Sequence, residues 1–118
     1  MNTIRTAIRQ RKRITAHYTP MGVGAAGVRT LEPHVLGYSA KNVPLLRAWV
    51  HSGVSYSNKL KSRSYKARWR LFRVNNLTNV DLTEQTFKVR PRYNYEQDAA
   101  IPRVTARIER PPRTRNRT

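Results

Sequence analysis

The stretch between Arg29 and Arg73 constrains the fold most, because it contains three of the five segments with the composition of β-strands. These segments are short, rich in β-branched, aliphatic or aromatic residues, and bounded by turn residues; they are 14–18, 28–36, 45–50, 68–74 and 77–82. Several short strands at such close spacing predict a mainly β fold, as a small barrel or sandwich.

A short helix is expected before the first strand, over residues 3–12. Thr3 can cap it, and Ile4, Ala7 and Ile8 recur at the spacing of one narrow apolar face. A helix of this length is not stable alone in water and must pack on the sheet. With one helix, this stretch offers no helix-turn-helix to read a major groove.

Proline and glycine indicate how the strands connect and bend. Pro33 predicts an edge position or a bulge in its strand, and Gly37 predicts a bend. The glycine-rich segment 21–27 lacks the spacing of a phosphate-binding loop and is interpreted as a hairpin connection.

The alternation of apolar and polar residues along these segments selects a modest core. It comprises Ile14, Ala16, Leu31, Val35, Leu46, Ala48, Leu71, Val74, Leu77, Val80 and Phe87.

The charge balance indicates the partner. Lysine and arginine number 24 against six acidic residues, which gives a formal net charge of +18. An excess of this size favours nucleic acid as the partner. No apolar run approaches the length of a membrane span, and there is no cysteine. We therefore expect no membrane association and a protein that is cytoplasmic or packaged with nucleic acid.

The composition changes after Phe87. Residues 88–118 are rich in arginine and proline and poor in aliphatic residues. Such a segment buries too little apolar area to offset its ordering entropy, so we expect a domain over residues 1–87 and a basic tail over 88–118, disordered beyond about Gln97.

Arginines and aromatic residues are interleaved on two of the strands. Alternate residues of a strand share a face, so Arg68, Arg70 and Phe72 lie opposite Trp69, Leu71 and Arg73, and Arg47 shares a face with Trp49. If these faces adjoin, they form a platform on which bases stack while guanidinium groups bind phosphates. The alternative is that Trp49, Trp69 and Phe72 belong to the core.

Other cations extend the candidate interface. Four lie in the connection between the third and fourth strands: Lys59, Lys61, Arg63 and Lys66. Those at the two ends of the chain are expected to contact phosphates without specifying sequence: Arg5, Arg9, Arg11, Lys12, Arg13, Arg110, Arg113, Arg115 and Arg117. His34 lies near Glu32 and Tyr38, but no nucleophile, second carboxylate or metal-ligand spacing accompanies it, so we expect neither an enzyme nor a cofactor.

Several of these motifs together resemble the WYL domain family. They are Gly27-x-Arg29-x-x-x-Pro33, then Leu45, Ala48 and Trp49, then Trp69-Arg70-Leu71-Phe72-Arg73 and Leu77. The resemblance covers about residues 4–87, although the literal Trp-Tyr-Leu triplet is absent.

This resemblance implies a small Sm-like β-barrel with a short N-terminal helix, and binding of nucleic acid, including single strands, in a regulatory role. It also implies a protein of the cytoplasm of a bacterial host cell, phage-encoded or associated with a virion. It also implies that Arg29, Arg47, Arg70 and Arg73 line the ligand face and that His34 contacts a phosphate. The companion helix-turn-helix that family members usually carry is not seen in this sequence.

Two functions from different classes remain open, with a third beside them. The first is a module that binds single-stranded nucleic acid. The second is an assembly protein of a virion or ribonucleoprotein, whose barrel docks on a protein partner while the tail neutralises nucleic acid. The third is a sensor of a small anion through Arg29, Arg47 and Arg73. The sequence leaves the choice of RNA or DNA and the oligomeric state open.

Overall fold

A computed structural model describes residues 1–19, 26–53, 69–90, 92–94 and 98–109. Its elements in chain order are α1 (Asn2–Gln10), β1 (Lys12–Tyr18), β2 (Gly27–Tyr38), β3 (Pro44–Gly53), β4 (Trp69–Arg73), a 3₁₀ turn (Val74–Asn76), β5 (Leu77–Thr86) and β6 (Arg103–Arg107). The prediction of a mainly β fold with one short N-terminal helix is confirmed.

Helix α1 packs on the sheet through the predicted face. Ile4, Ala7 and Ile8 are buried in the main core. The predicted cap at Thr3 is wrong, because the helix begins one residue earlier and Met1 is the N-cap, without a side-chain cap. Arg11 ends the helix in the left-handed conformation, at φ 53°. No helix in the described parts of the chain is long and apolar enough to span a membrane.

The six strands form one antiparallel sheet. Five of them follow the order β4-β3-β2-β1-β5, and β6 pairs with β2 beyond the end of β1. Tyr18 pairs with Gly27, so the glycine-rich connection closes a hairpin as predicted, although residues 20–25 lie outside the described residues.

The long strand β2 tolerates Pro33 in its middle although β2 is not an edge strand. Its pairing with β1 ends at Leu31 and its pairing with β6 begins at Val35, so Pro33 lies in a gap between two ladders on that side, while on the other side it pairs with Ala48 of β3. The register with β3 shifts between Pro33 and Val35. The predicted bulge is therefore confirmed and the predicted edge position is wrong.

The sheet must curl, because strands at its two ends are joined by a very short connection. β4 and β5 are separated by the three residues of the 3₁₀ turn, Val74–Asn76. Such a turn spans about 6 Å, whereas four strand spacings in a flat sheet span about 19 Å. Tyr18 of β1 meets Phe72 of β4 edge-on, with ring centroids 5.2 Å apart. The described strands show no ladder between β4 and β5, so a closed barrel is not confirmed.

The predicted core is confirmed at most of its positions. Eight of the eleven residues are buried, namely Ile14, Ala16, Leu31, Val35, Leu46, Ala48, Leu77 and Phe87. Val74 and Val80 are partly buried against the same cluster. The prediction that Leu71 belongs to the core is wrong, because Leu71 is 39% exposed, while Phe72 is 3% exposed. The register explains this, because Phe72 lies opposite the buried Leu46 and Leu71 lies opposite Arg47.

Part of the expected tail is ordered, so the prediction of disorder beyond Gln97 is wrong for residues 98–109. Ile101 and Ile108 are buried on either side of β6, which pairs with β2. Gly37 permits this close approach, because a Cβ atom there would overlap the carbonyl oxygen of Arg103 and lie 2.9 Å from the Cα atom of Val104. Gly37 thus continues β2, where a bend was predicted. Residues 110–118 lie outside the described residues.

Candidate nucleic-acid interface

The pairing of β3 with β4 decides which side chains share a face. Three cross-strand pairs, Trp49 with Trp69, Arg47 with Leu71 and Leu45 with Arg73, alternate with the pair of Leu46 and Phe72. Because Leu46 and Phe72 belong to the main core, we call their side of the sheet the core face and the other side the outer face.

The predicted platform is therefore present in part. Arg47, Trp49, Trp69 and Arg73 share the outer face. The assignment of Phe72 to the platform is corrected, since its ring packs in the core against Tyr18. Arg70 alternates with these residues and lies on the side of Phe72, where it is exposed at the start of the strand.

Residues after β5 return over the outer face and form a pocket there. The pocket has a volume of about 320 Å³. It is lined by Val35, Arg47, Trp69, Arg92, Tyr93, Asn94, Asp98 and Ala99. We call it the Trp69 pocket. It unites two predicted site residues with others, chiefly Arg92 and Asp98, that the sequence analysis did not select.

Arg47 enters this pocket as half of an ion pair. Its Nε and Nη2 atoms donate to the two carboxylate oxygens of Asp98, at 2.8 and 3.2 Å. Burial raises the pKa of Asp98, but the hydrogen bonds and the charge of Arg47, together with the backbone N–H of Ala100, outweigh burial and hold this pKa below its usual value. The carboxylate thus occupies the place on Arg47 that a phosphate oxygen would take.

The aromatic residues divide into supporting and accessible rings. Trp69 and Tyr93 both line the pocket, and their rings lie within 25° of parallel with centroids 6.3 Å apart. Trp49 is buried and meets Trp69 edge-on at 5.5 Å. Trp49 therefore supports Trp69 from the neighbouring strand, and its predicted direct contact with a ligand is corrected.

A buried carboxylate organises the outer face beside the pocket. Glu32 is fully buried and accepts hydrogen bonds from Arg13 at 2.8 Å and from both Nε and Nη2 of Arg90, the latter at 2.8 Å. Burial raises the pKa of Glu32, but the hydrogen bonds and charges of Arg90 and Arg13 prevail and lower it overall. Arg13, predicted as a free phosphate contact, is thus held within the fold.

His34 is a structural residue. It is fully buried; its Nδ1 atom donates to the Glu32 carbonyl oxygen at 2.8 Å, and its Nε2 atom accepts from the backbone N–H of Arg90 at 3.3 Å. Its ring packs edge-on against Trp69, with centroids 4.6 Å apart. The predicted phosphate contact of His34 is corrected, because no part of the ring reaches the surface.

This environment makes the stability of the protein depend on the pH. Burial lowers the pKa of His34 to about 4 from an ordinary 6.5. The unfolded chain therefore binds a proton between pH 6.5 and 4 that the folded chain does not, so stability is complete above pH 6.5 and falls as the pH approaches 4. We expect the free energy of unfolding to fall by about 2 to 3 kcal/mol across this window.

Urea unfolding at several pH values measures this effect. The exposed His17 provides the matched control, and His17→Gln should leave the pH dependence in place. A free energy of unfolding that is constant from pH 6.5 to 4.5 would contradict the role given to His34.

The remaining predicted residues are distributed as follows. Arg29 is buried on the core side, with its guanidinium 5.5 Å from the centroid of the Tyr18 ring, so its predicted place on the ligand face is corrected. Arg73 and Arg9 are exposed, and Lys12 lies 3.5 Å from Glu84. Arg5 and Arg11 are half-buried. Nine others lie outside the described residues: Lys59, Lys61, Arg63, Lys66, Arg68, Arg110, Arg113, Arg115 and Arg117.

The sequence does contain a signal for the residues that were not predicted, because acidic residues are rare in this chain and each one can be examined as a partner for the many cations. Of the six acidic residues in the chain, Glu32, Glu84, Asp98 and Glu109 each lie within 4 Å of a lysine or arginine nitrogen. In a chain with so many cations, each carboxylate is expected to form ion pairs with lysine or arginine side chains. Asp98 and Glu32 mark the two places on the outer face.

These features define a class of protein: a small antiparallel β domain with one packed helix and a basic, aromatic pocket on its outer face. The family model described as WYL domain matches residues 1–82. The chain therefore belongs to the WYL domain family, as the sequence motifs predicted. WYL domains are generally associated with nucleic-acid-binding regulators. Searches of curated proteins and of solved structures found no significant match.

Proposed function

We propose that this protein binds single-stranded nucleic acid, with a base held in the Trp69 pocket and phosphates on the surrounding arginines. The observation that carries the proposal is the pocket itself, which places the partly exposed rings of Trp69 and Tyr93 beside the exposed Arg92. Aromatic rings stack on any unpaired base, and guanidinium groups bind the backbone. A duplex keeps its bases stacked and offers none to these rings.

The charge distribution supports a strand that follows the outer face. Arg73, at the end of β4, and Arg92, at the pocket, are both exposed, and Arg73 shares the face of Leu71 and Trp69. The net charge of +18 adds long-range attraction for a polyanion. In this proposal the protein acts by binding alone, without catalysis and without a cofactor. Its function is regulatory and is carried out in the cytoplasm of a bacterial cell.

The proposed architecture is the Sm-like barrel that the family resemblance implies. The short connection between β4 and β5 supports it, because it brings the two outermost strands of the sheet to one corner. In this arrangement the outer face lies on the outside of the barrel.

We expect Trp69→Leu to weaken binding of a single-stranded oligonucleotide by about 5- to 100-fold, which corresponds to the loss of one stacked base. The measurement is fluorescence anisotropy with a labelled oligonucleotide at two salt concentrations. Leu82→Ala, which changes an exposed residue on β5, is the control and should leave the affinity unchanged. Thermal unfolding of both variants separates lost contact from lost structure.

The same titration distinguishes the alternatives. Single-strand binding that persists at higher salt and is lost in folded Trp69→Leu supports the pocket. Equal affinity of the folded variant and the unaltered protein would contradict it. If duplex and single strands bind equally and only salt matters, the protein is an electrostatic anchor, as the assembly function requires. The logarithm of the binding constant should fall by about 0.7 per phosphate neutralised on a single strand.

A further inference from the structure

A second cavity is lined by both arginines that bind the buried Glu32. It has a volume of about 390 Å³ and is lined by Arg13, Thr86, Phe87, Lys88 and Arg90. Three of these five residues are cations and none is acidic. Lys88 and Arg90 follow residue 82, where the family match ends. We call it the Lys88 cavity.

The two arginines of this cavity are fixed before any ligand arrives. Arg90 is held at its side chain by Glu32 and at its backbone N–H by the ring of His34. Arg13 is held by Glu32 and, through Nη1, by the side chain of Gln85 at 3.1 Å. Two preorganised guanidinium groups lose little side-chain entropy when they bind an anion.

Both guanidinium groups keep unused donors. An arginine carries five N–H donors, and within the described residues the hydrogen bonds of Arg13 use Nε and Nη1 while those of Arg90 use Nε and Nη2. The Nη2 group of Arg13 and the Nη1 group of Arg90 therefore remain available. Lys88 is exposed, and no described residue forms an ion pair with it.

The charge of this cluster defines the ligand class. Arg13, Lys88 and Arg90 line the cavity, and the Glu32 carboxylate that binds the two arginines carries the one compensating charge, which leaves a surplus of two positive charges. A phosphate monoester carries a charge of about −1.5 to −2 at neutral pH, whereas each internal phosphodiester of a nucleic acid carries one. The surplus matches the monoester.

We propose that the Lys88 cavity is a phosphate-monoester site, with Arg13 and Arg90 as fixed donors and Lys88 as the mobile one that closes on the ligand. The ligand is the terminal phosphate of a nucleic-acid strand or free inorganic phosphate, which share this chemistry. The site is adjacent to the stacking surface, because the Arg90 guanidinium lies 5.0 Å from the Trp49 ring that supports Trp69. The proposal of a phosphate site does not depend on the proposed binding of single strands in the Trp69 pocket.

The test compares thymidine oligonucleotides of about six nucleotides that carry a 5′ phosphate, a 3′ phosphate or hydroxyl groups at both ends, with the full chain in a buffer free of phosphate. We expect one phosphorylated form to bind about tenfold more tightly than the hydroxyl form. Lys88→Gln should abolish this preference. Lys41→Gln, which removes an exposed lysine in the turn between β2 and β3, should retain it.

A parallel measurement uses inorganic phosphate alone, observed by ³¹P line broadening. Broadening by the unaltered protein that Lys88→Gln removes and Lys41→Gln preserves supports the site, even if no oligonucleotide binds, in which case the proposed function fails and the site stands. Equal affinity for all three oligonucleotides together with no broadening overturns the site. An equal loss in both lysine variants also overturns it, because the effect would then be one of net charge.

Discussion

Replacement of Glu32 by glutamine is expected to lower the free energy of unfolding by about 3 to 5 kcal/mol. The carboxylate is fully buried and compensates the charges of Arg13 and Arg90, which point at it from β1 and from the segment after β5. A glutamine of the same shape leaves both guanidinium groups without their counter-charge. The amide nitrogen of the glutamine also carries N–H donors at a position where an oxygen of Glu32 accepts from arginine N–H groups.

Denaturant unfolding at pH 7 measures this effect, and Glu84→Gln is the matched control. Glu84 is also within ion-pair distance of a cation, but its side chain is 98% exposed, so we expect no change in the unfolding midpoint. A Glu32→Gln protein as stable as the unaltered chain would show that the two arginines do not depend on this carboxylate. Glu32→Gln should also increase the mobility of the Arg90 side chain and so reduce the preference for phosphorylated over unphosphorylated oligonucleotides.

The local pattern of the chain predicted the elements well because each has a strong period of its own. The spacing of Ile4, Ala7 and Ile8 permits one apolar face only, and that face is buried. In β1, Ile14 and Ala16 alternate with polar residues, and they point to the core. In these elements, one choice of face is clearly more apolar than the other.

The pattern failed in β4 because both faces of that strand are apolar enough to be buried. Trp69 and Leu71 alternate with Phe72, and either set is a reasonable core. The pairing with β3 decides between them, since Leu46 lies opposite Phe72. That pairing joins residues 26 positions apart, and no property of the strand itself reveals it.

The candidate site could be predicted only where its residues lie on strands. Arg47 and Trp69 were found because alternation places them on a sheet face with other basic and aromatic residues. The residues that complete the pocket come from a segment without regular structure, and Asp98 meets Arg47 across 51 positions of sequence. The burial of Glu32 and His34 escaped notice for the same reason, because their partner Arg90 lies 58 and 56 positions away.

The C-terminal segment shows how average composition misleads. Its richness in arginine and proline predicts disorder, yet Ile101 and Ile108 are placed so that each enters a core cluster. The backbone pairing of β6 with β2, for which the absence of a side chain at Gly37 leaves room, also holds this segment on the domain. A few well-placed apolar residues suffice because the partner strand is already formed.

Ile108→Ala is therefore expected to destabilise the folded protein by about 2 to 5 kcal/mol, the usual range for truncating a buried isoleucine to alanine. Ile108 is 2% exposed and belongs to the main core with α1 and the core face of the sheet. Its backbone is fixed as well, because its N–H donates to the His34 carbonyl at 2.9 Å and its own carbonyl accepts from the Tyr93 hydroxyl at 2.9 Å.

The control for this substitution is Val104→Ala on β6, four residues earlier. Val104 is among the exposed apolar residues, so its truncation is expected to change the free energy of unfolding by less than about 0.5 kcal/mol. Equilibrium urea unfolding of both variants gives the comparison. Equal stability of the two would mean that the segment after Asp98 does not contribute to the core. A large loss in Ile108→Ala alone would show that this segment is part of the domain, and that the Trp69 pocket is built on a stable framework.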